Sequence, residues 1–289
     1  MLLKLKPEEK AQRASLAWWR KGSKSLLLAC SVSVLSACLT TQTTSGGAVG
    51  VERSQFVLVS SAEVDASAAK AYADVIAKAQ KEGKLNRDPK QVQRVRAIAN
   101  RLIPQTAVFR QDAPAWKWEV NVIESDQLNA WCMAGGKIAF YSGLIEKLKM
   151  TDDEIAAVMG HEIAHALREH SRERISQQLA TSVGLDLLAA GLGLSRGAAD
   201  LAGMVANVTI SLPYGRQHEI ESDRIGVELA ARAGYDPRAA ISLWQKMASQ
   251  GGGSPPELLS THPSPENRMR DLADYSNRVQ PLYEQARRR

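Results

Sequence analysis

The sequence has little cysteine, and its leading apolar run is too short to cross a bilayer. Its three cysteines are Cys30, Cys38 and Cys132. The first two fall in a leader-like segment, so the body of the chain keeps a single thiol and can form no internal disulfide. The apolar run, residues 26–37, is far shorter than the roughly 20 residues that a spanning helix needs. No internal repeat is visible.

The body of the chain also lacks a basic surplus. Residues 1–37 hold seven basic and two acidic residues, and so carry five of the six net positive charges. A protein that binds along phosphates keeps its basic surface in the folded domain, so the basic pI is no sign of a nucleic-acid partner and none is expected. With 44% hydrophobic and 24% charged residues, the composition is that of an ordinary globular protein with a sizeable core.

The N-terminal 38 residues have the pattern of an export signal. A basic run precedes the apolar stretch, and Leu35-Ser36-Ala37-Cys38 resembles the bacterial lipobox, in which the cysteine is acylated. Cleavage would make residues 1–37 a lipoprotein signal peptide and Cys38 the lipidated N-terminus. Leu39, where an inner-membrane lipoprotein has Asp, indicates the outer membrane. Weaker alternatives are acylation at Cys30 or a buried N-terminal helix.

Residues 38–55 are polar, small and rich in glycine, which predicts a flexible tether to a folded domain over residues 56–289. Helical spacing over 63–82 and 89–102 is followed by period-two alternation around Trp116 and Trp118. Gly135-Gly136 then joins two extended runs, as in a hairpin. Helices follow to the C terminus. The predicted fold class is α+β, mainly helical, with a small sheet or hairpin before the central helix.

That central helix begins near Thr151, where Glu154 completes a capping box, and it carries His161, Glu162 and His165 as H-E-x-x-H. Residues four apart share a helix face, so both imidazoles can bind one ion. Zinc hydrolases combine two such histidines with an open position for water and a nearby carboxylate that accepts a proton, here Glu162. Chance produces this spacing in on the order of one chain in a hundred of this size.

A third zinc ligand has to come from elsewhere. His170 lies about 140° round a continuous helix from His165, which predicts a solvated face. Downstream, Glu219 and Asp223 share a helix face, so Glu219 is predicted to bind zinc while Asp223 accepts an N–H from a ligand histidine. Glu221 is the main rival of Glu219, and His218 is predicted to be structural.

Together, HEIAH, Glu219 to Asp223 in EIESDRIG, and STHPSPENR resemble the gluzincin metallopeptidases of the HtpX and CAAX prenyl protease family over about residues 60–280. The lipobox makes the chain most similar to periplasmic and outer-membrane proteases of the LoiP and BepA type. The resemblance implies a zinc-metallopeptidase fold and proteolysis of misfolded or misassembled envelope proteins by an outer-membrane lipoprotein facing the periplasm. Outer-membrane assembly machinery is an expected partner. Ala134 departs from the family, which usually has Pro there.

The remaining predictions concern the surroundings of the metal. An extended substrate is expected to pair with the strand Asn129, Ala130, Trp131, Cys132 and Met133. By the resemblance, His262 either occupies the open zinc position in a latent enzyme or stabilises an oxyanion; a loop histidine is the alternative. Arg268 is either a partner of a site carboxylate or an exposed arginine. Cys132 is expected to be a buried apolar residue rather than a nucleophile.

Two further questions stay open on sequence grounds. Residues 183–206 are interpreted as an apolar flap, a membrane-contacting helix pair or simply core. The chain as a whole is predicted to be a zinc endopeptidase; a chaperone or assembly factor with a latent protease site and a structural zinc module are the rival functions.

Overall fold

The computed structural model describes residues 40–191, 201–249, 257–262 and 267–288, and for 183–191 only the helical backbone. The chain divides into two compact units, Met1–Thr41 and Gln42–Arg289. In the first unit only the short strand β1, Thr40–Thr41, is described. The predicted signal peptide 1–37 and the lipidation site Cys38 lie outside the described residues.

The first two helices of the second unit start at capping signals in the local sequence. Helix α1, Ser61–Lys81, starts at a capping box formed by Ser60 and Glu63. Helix α2, Pro89–Leu102, has Asp88 as its cap and proline at its first position. Two 3-10 turns, Ile103–Val108 and Ala113–Ala115, lead from α2 towards the sheet.

The sheet has three strands in the order β3-β5-β4, with β3 Glu119–Ile123, β4 Ala130–Met133 and β5 Lys137–Tyr141. Strand β5 pairs in parallel with β3 and antiparallel with β4. The β4–β5 hairpin turns at Gly135 and Gly136, both with positive φ. A Cβ on Gly136 would lie 2.6 Å from the Trp118 ring. The turn therefore requires glycine at this position both for its positive φ and for its lack of a side chain. Ala134 does not prevent the hairpin.

The remaining helices are α3 Ser142–Lys147, α4 Asp152–Leu167, α5 His170–Gly191, α6 Leu201–Ala206, α7 Arg216–Arg232, α8 Ala239–Ser249, α9 Glu257–Thr261 and α10 Arg268–Arg287. A π-helical turn, Asn207–Ser211, follows α6. Helices α4 and α7 pack closely along their lengths and lie at the centre of the larger apolar core. The predicted fold class is thereby confirmed.

The prediction of a flexible tether over 38–55 is wrong for residues 42–55. We call residues 42–55 the N-terminal strap; the short strand β2, Gln55–Phe56, begins at its last residue. Val49 and Val51 are buried in the core, and Gln55 is completely buried. The backbone N–H of Val49 donates to Glu228 Oε2 over 3.0 Å. The folded unit therefore starts well before the predicted boundary at residue 56.

The segment 183–206 is described in part. Its last six residues, helix α6, pack against α1, and Val205 lies in the smaller apolar cluster, which favours the core interpretation for this portion. The side chains of 183–200 lie outside the described residues. In the four described ranges of the chain, no helix combines the length and apolar character that crossing a bilayer requires.

Candidate metal centre

Helix α4 presents two imidazoles to one point. The capping box of Thr151 and Glu154 starts this helix as predicted, and the four-residue spacing then brings His161 Nε2 to 3.1 Å from His165 Nε2. Both side chains are buried. Two ring nitrogens this close, with no other polar group between them, form a natural pair of metal donors.

Helix α7 supplies a carboxylate to the same point. Glu219 is completely buried, with Oε2 at 3.5 Å from His161 Nε2 and Oε1 at 3.4 Å from His165 Nε2. Asp223, one turn later, places Oδ1 2.9 Å from His161 Nδ1 and also accepts from Arg268 Nη2 over 2.6 Å. The structure thus brings Glu219 to the histidine pair and sets Asp223 behind His161.

These residues fit a zinc ion. Zinc–ligand distances of about 2.0–2.1 Å in a tetrahedron imply donor–donor spacings near 3.3 Å, and the three spacings above are 3.1, 3.4 and 3.5 Å. Neither oxygen of Glu219 has a hydrogen-bond partner among the described residues, although Arg268 Nη2 lies 3.4 Å from Oε2 as an ion pair. Buried carboxylate oxygens without donors are costly unless a cation satisfies them.

His262 completes a group of four. Its donor atom and those of His161, His165 and Glu219 all lie within 4.8 Å of one another. The Nδ1 of His262 lies 3.2 Å from the Leu258 carbonyl and 3.0 Å from Thr261 Oγ1. A carbonyl can only accept, so the proton sits on Nδ1, and Nε2 faces the centre with a free lone pair and no described partner.

The comparisons with known proteins agree with this geometry. A family model for Peptidase family M48 matches residues 89–276, more than half of the chain. The chain belongs to Peptidase family M48. Its three donors His161, His165 and Glu219 form a zinc site of the M48 type, and with Glu162 they make up an HExxH-type metalloendopeptidase site.

Curated relatives carry the same region within longer chains. "Mitochondrial metalloendopeptidase OMA1" of Arabidopsis thaliana is 38% identical over 156 residues, which are 54% of this chain and 31% of that protein. The protein of that name from Schizosaccharomyces pombe is 37% identical over 161 residues, 55% and 47% respectively. "Beta-barrel assembly-enhancing protease" of Escherichia coli is 32% identical over 174 residues, 57% and 36%. The chain spans about a third to a half of these relatives' lengths.

In this M48 site Glu162 lies beside the donors without joining them. It is buried, its Oε1 has no hydrogen-bond partner among the described residues, and His262 Nε2 lies 3.6 Å from that oxygen. Burial raises the pKa of Glu162 well above its ordinary value, while the charge of Arg268 and the backbone N–H of Cys132 oppose the shift. A carboxylate of raised pKa is a better proton acceptor.

The three histidines of the centre have lowered pKa values, which favours the neutral form that binds zinc. Burial lowers the pKa of His161, against a hydrogen bond and charge from Asp223. Burial and the neighbouring imidazoles hold the pKa of His165 well below its usual range, and burial does the same for His262. Neutral imidazole keeps a lone pair for a metal at neutral pH.

The prediction that His170 faces solvent is wrong. Helix α4 ends at Leu167, and Glu169 takes φ of 49°, so His170 begins a new helix, α5. An angle calculated for one continuous helix does not apply across this break. His170 is completely buried, and its Nδ1 lies 3.0 Å from His165 Nδ1.

Glu221 is not a metal ligand in the described geometry; it accepts from Arg53 and Arg168 and lies 3.2 Å from His170 Nε2. His218 stacks on His170 and lies 3.1 Å from Glu173 Oε2, which agrees with the expected structural role. Arg268 is buried, so the prediction of an exposed arginine is excluded in favour of a partner for Asp223.

The predicted substrate strand lies next to the site. Strand β4 forms one edge of the sheet, and Asn129 precedes it. All four of its residues, Ala130, Trp131, Cys132 and Met133, are buried. Burial raises the pKa of the Cys132 thiol well above its ordinary value, which agrees with the expectation of an inert apolar residue.

Sequence reasoning missed several neighbours of the centre. The Tyr214 ring lies 4.0 Å from that of His165, and burial raises the pKa of Tyr214 to about 12. The Arg268 guanidinium lies 3.3 Å from the centre of the Trp244 ring. No motif marks Tyr214 or Trp244, because their contacts with the centre join segments that are distant in the sequence. Arg53, on the strap, was missed for the same reason.

Proposed function

We propose that the chain is a zinc-dependent endopeptidase of the bacterial cell envelope that hydrolyses misfolded or misassembled proteins. The observation that carries the activity is the buried convergence of His161, His165 and Glu219 beside Glu162, whose Oε1 has no hydrogen-bond partner among the described residues. Zinc in such a site supplies a Lewis acid that polarises a carbonyl and lowers the pKa of water.

In this proposal Glu162 is the catalytic residue. Its free oxygen faces the donor group from outside the ligand set, so it can accept a proton from water and pass it to the leaving amine. Asp223 keeps His161 in the tautomer that offers Nε2 to the metal, because the carboxylate can only accept from Nδ1. Arg268 in turn holds Asp223.

We place an extended substrate along β4, residues Asn129 to Met133. An added edge strand would be recognised mainly by its backbone, which suits substrates of varied sequence. The backbone N–H of Cys132 is one of the groups that lower the pKa of Glu162, so this strand lies beside the proposed catalytic carboxylate. Because β4 is covered in the described structure, a substrate would have to displace what covers it.

The quality-control role is supported by two kinds of observation. One relative is by name a beta-barrel assembly-enhancing protease, which favours misassembled outer-membrane proteins as substrates and their assembly machinery as a partner. The sequence pattern of residues 1–38 supports export, with lipid at Cys38 and an outer-membrane location facing the periplasm. The folded domain then comprises the strap and the residues that follow it.

Digestion of an unfolded outer-membrane protein by purified full-length protein tests the activity. The variant Glu162→Gln keeps the shape and the zinc ligands but cannot accept the proton. We expect cleavage to fall by at least about a hundredfold, with zinc content unchanged by metal analysis. The control Glu124→Gln changes an exposed carboxylate on the surface and should cleave like the wild type. Equal cleavage by Glu162→Gln and wild type would remove the proposed catalysis.

A second candidate function is that of an assembly factor whose protease is latent. It is favoured by His262, whose free Nε2 faces the centre as a fourth donor. This geometry supports the latent-ligand role more than oxyanion stabilisation, because a neutral ring protonated on Nδ1 has no N–H to offer from Nε2.

Replacing the fourth donor tests latency. If His262 closes the site, His262→Ala should raise cleavage of the same unfolded protein several-fold while zinc binding weakens, since one donor is lost. Glu124→Gln, which changes an exposed surface carboxylate, is again the control and should cleave and bind zinc like the wild type. A loss of cleavage in His262→Ala would instead assign the residue a direct role in the reaction.

A further inference from the structure

A row of buried polar side chains runs from the zinc ligand His165 to the N-terminal strap. His165 Nδ1 lies 3.0 Å from His170 Nδ1, and His170 Nε2 lies 3.2 Å from Glu221 Oε2. The other oxygen of Glu221 accepts from Arg53 Nε over 2.5 Å. His170 and Glu221 are buried. The four residues belong to four different elements, which are in order α4, α5, α7 and the strap.

The nitrogen that carries the proton on each histidine of this row follows from the metal site at one end and from the Glu221 carboxylate at the other. His165 offers Nε2 to the donor group, so as a neutral ligand it carries its proton on Nδ1 and donates to His170. His170 must then accept at Nδ1 and carry its own proton on Nε2, from which it donates to Glu221. Ser222 Oγ, at 3.4 Å from His170 Nδ1, is the more distant partner of that nitrogen.

Glu221 needs cations to remain charged in this buried place. Arg168 Nε donates to Glu221 Oε2 over 2.8 Å, and Arg53 forks between Glu221 and Glu173. The hydrogen bonds from Arg53 to Glu173 measure 2.7 and 2.8 Å. Arg53 thus fixes both carboxylates at once, which a bidentate guanidinium does better than any other side chain.

We propose that Arg53, on the strap, is a positioning residue for the zinc ligand His165, acting through Glu221 and His170. His161 is oriented directly by a carboxylate, Asp223, whereas His165 is oriented by an imidazole that needs Glu221 behind it. Arg53 lies outside the range 89–276 that the family model matches. The inference rests on zinc binding at the proposed active site, and not on the identity of the substrate.

Zinc affinity of the full-length protein, measured by competition with a chromophoric chelator, tests the row. Partners behind a ligand histidine are worth roughly 10–100-fold in metal affinity, so His170→Phe should lose about that much. Arg53→Gln should lose on the order of tenfold, and Arg53→Lys, which keeps the charge without the fork, should lose less. Because both act through one path, the double variant Arg53→Gln/His170→Phe should bind zinc no worse than His170→Phe alone.

Arg110→Gln is the matched control. Arg110 also pairs with a buried carboxylate, Glu169, but neither residue hydrogen-bonds to the row. This variant should keep wild-type zinc affinity to within about twofold. Losses that multiply in the double variant, or an equal loss in Arg110→Gln, would show that Arg53 acts only on general stability and would overturn the inference. Absence of zinc binding by the wild type would instead refute the proposed function.

The tautomers provide a readout that needs no substitution. In nitrogen-15 spectra of the zinc-loaded wild type, His165 should be protonated on Nδ1 and His170 on Nε2. A His170 protonated on Nδ1 could not accept from His165, and that result would overturn the inference even if every variant failed to fold.

Discussion

At the scale of single residues, the two histidine ligands are held by chemically different partners. The charged carboxylate of Asp223 accepts from His161 and also from Arg268, so His161 is oriented by a charge-assisted hydrogen bond. On its Nδ1 side, His165 is hydrogen-bonded to another neutral imidazole, and the carboxylate behind that imidazole belongs to Glu221. The site therefore depends on the charge of Asp223 more directly than on that of Glu221.

The first prediction follows for Asp223→Asn. The amide oxygen can still accept from His161, but the charge is lost, and Arg268 is left with Glu219 Oε2, 3.4 Å away, as its nearest carboxylate. Arg268 then competes with zinc for Glu219. Zinc affinity should fall by about 10–100-fold in chelator competition. The control is Asp271→Asn, which removes the carboxylate on α10 that pairs with Arg224, the neighbour of Asp223 on α7. This variant should bind zinc normally. Equal affinities for Asp223→Asn and wild type would contradict this assignment.

The residues of the centre differ in how far the sequence could reveal them. His161, His165 and the pair Glu219 and Asp223 follow from helical spacing, because each pair lies within one unbroken helix. His170 was misplaced, because the positive φ of Glu169 breaks the helix and nothing in the local sequence announces it. Glutamate at such a position is uncommon, and here three hydrogen-bonding partners hold its side chain.

At the scale of elements, the donors depend on the close approach of α4 and α7. A Cβ on Gly226 would lie 2.8 Å from the His161 backbone nitrogen, and one on Gly160 would lie 2.8 Å from the Gly226 carbonyl oxygen. Both obstacles are backbone atoms, which cannot turn aside as a flexible side chain would. This contact sets the separation between the helix that carries the two histidines and the helix that carries Glu219.

The second prediction is that Gly226→Ala damages stability and zinc binding together. The added methyl has to push α4 and α7 apart, which should cost about 1–3 kcal/mol in the free energy of unfolding. It should also lengthen the distances from Glu219 to the histidines, so zinc affinity should fall. Urea unfolding and chelator competition measure the two effects. Gly215→Ala, where a Cβ meets only His218 Nδ1 at 3.9 Å, should keep its zinc affinity. A Gly226→Ala protein with wild-type values would show that the helices can separate freely.

The elements that the sequence predicted well are those with a strong period or cap, such as α1, α2, the hairpin and α4. The strap was misjudged because it is held mainly by polar contacts. Gln55 Nε2 donates to the Arg168 carbonyl over 2.5 Å and to Glu173 Oε2 over 2.8 Å, and Val49 is tied through its backbone N–H. Such contacts leave no apolar period, so a buried polar segment and a solvated tether have the same appearance in the sequence.

At the scale of the whole molecule, Glu169 joins the start of α5 to two distant parts of the chain. Its carboxylate accepts from Ser61 at the start of α1, from Arg110 before the sheet and from Arg172 on α5. Burial alone would raise the pKa of Glu169, but the hydrogen bonds and charges of Arg172 and Arg110 outweigh it and lower the pKa below its ordinary value of 4.5. Its ionised form is therefore bound more favourably by the folded protein than by the unfolded chain.

The last prediction concerns how that preference depends on pH. Because the folded-state pKa is the lower one, ionised Glu169 stabilises the fold above the ordinary pKa, and this contribution is lost as pH falls through the folded-state value. Glu169→Gln cannot ionise, so it should be less stable than the wild type by about 2 kcal/mol at pH 7, and the difference should shrink steadily below pH 4.5. Urea unfolding of both proteins at pH 7, 5 and 4 measures this difference in the free energy of unfolding. Any loss of zinc at low pH affects the two proteins alike and cancels in the difference. Glu124→Gln, whose ion pair with Arg87 is half exposed, should match the wild type throughout. A stability difference between Glu169→Gln and the wild type that stays constant or widens on acidification would mean that the charge of Glu169 does not stabilise the fold.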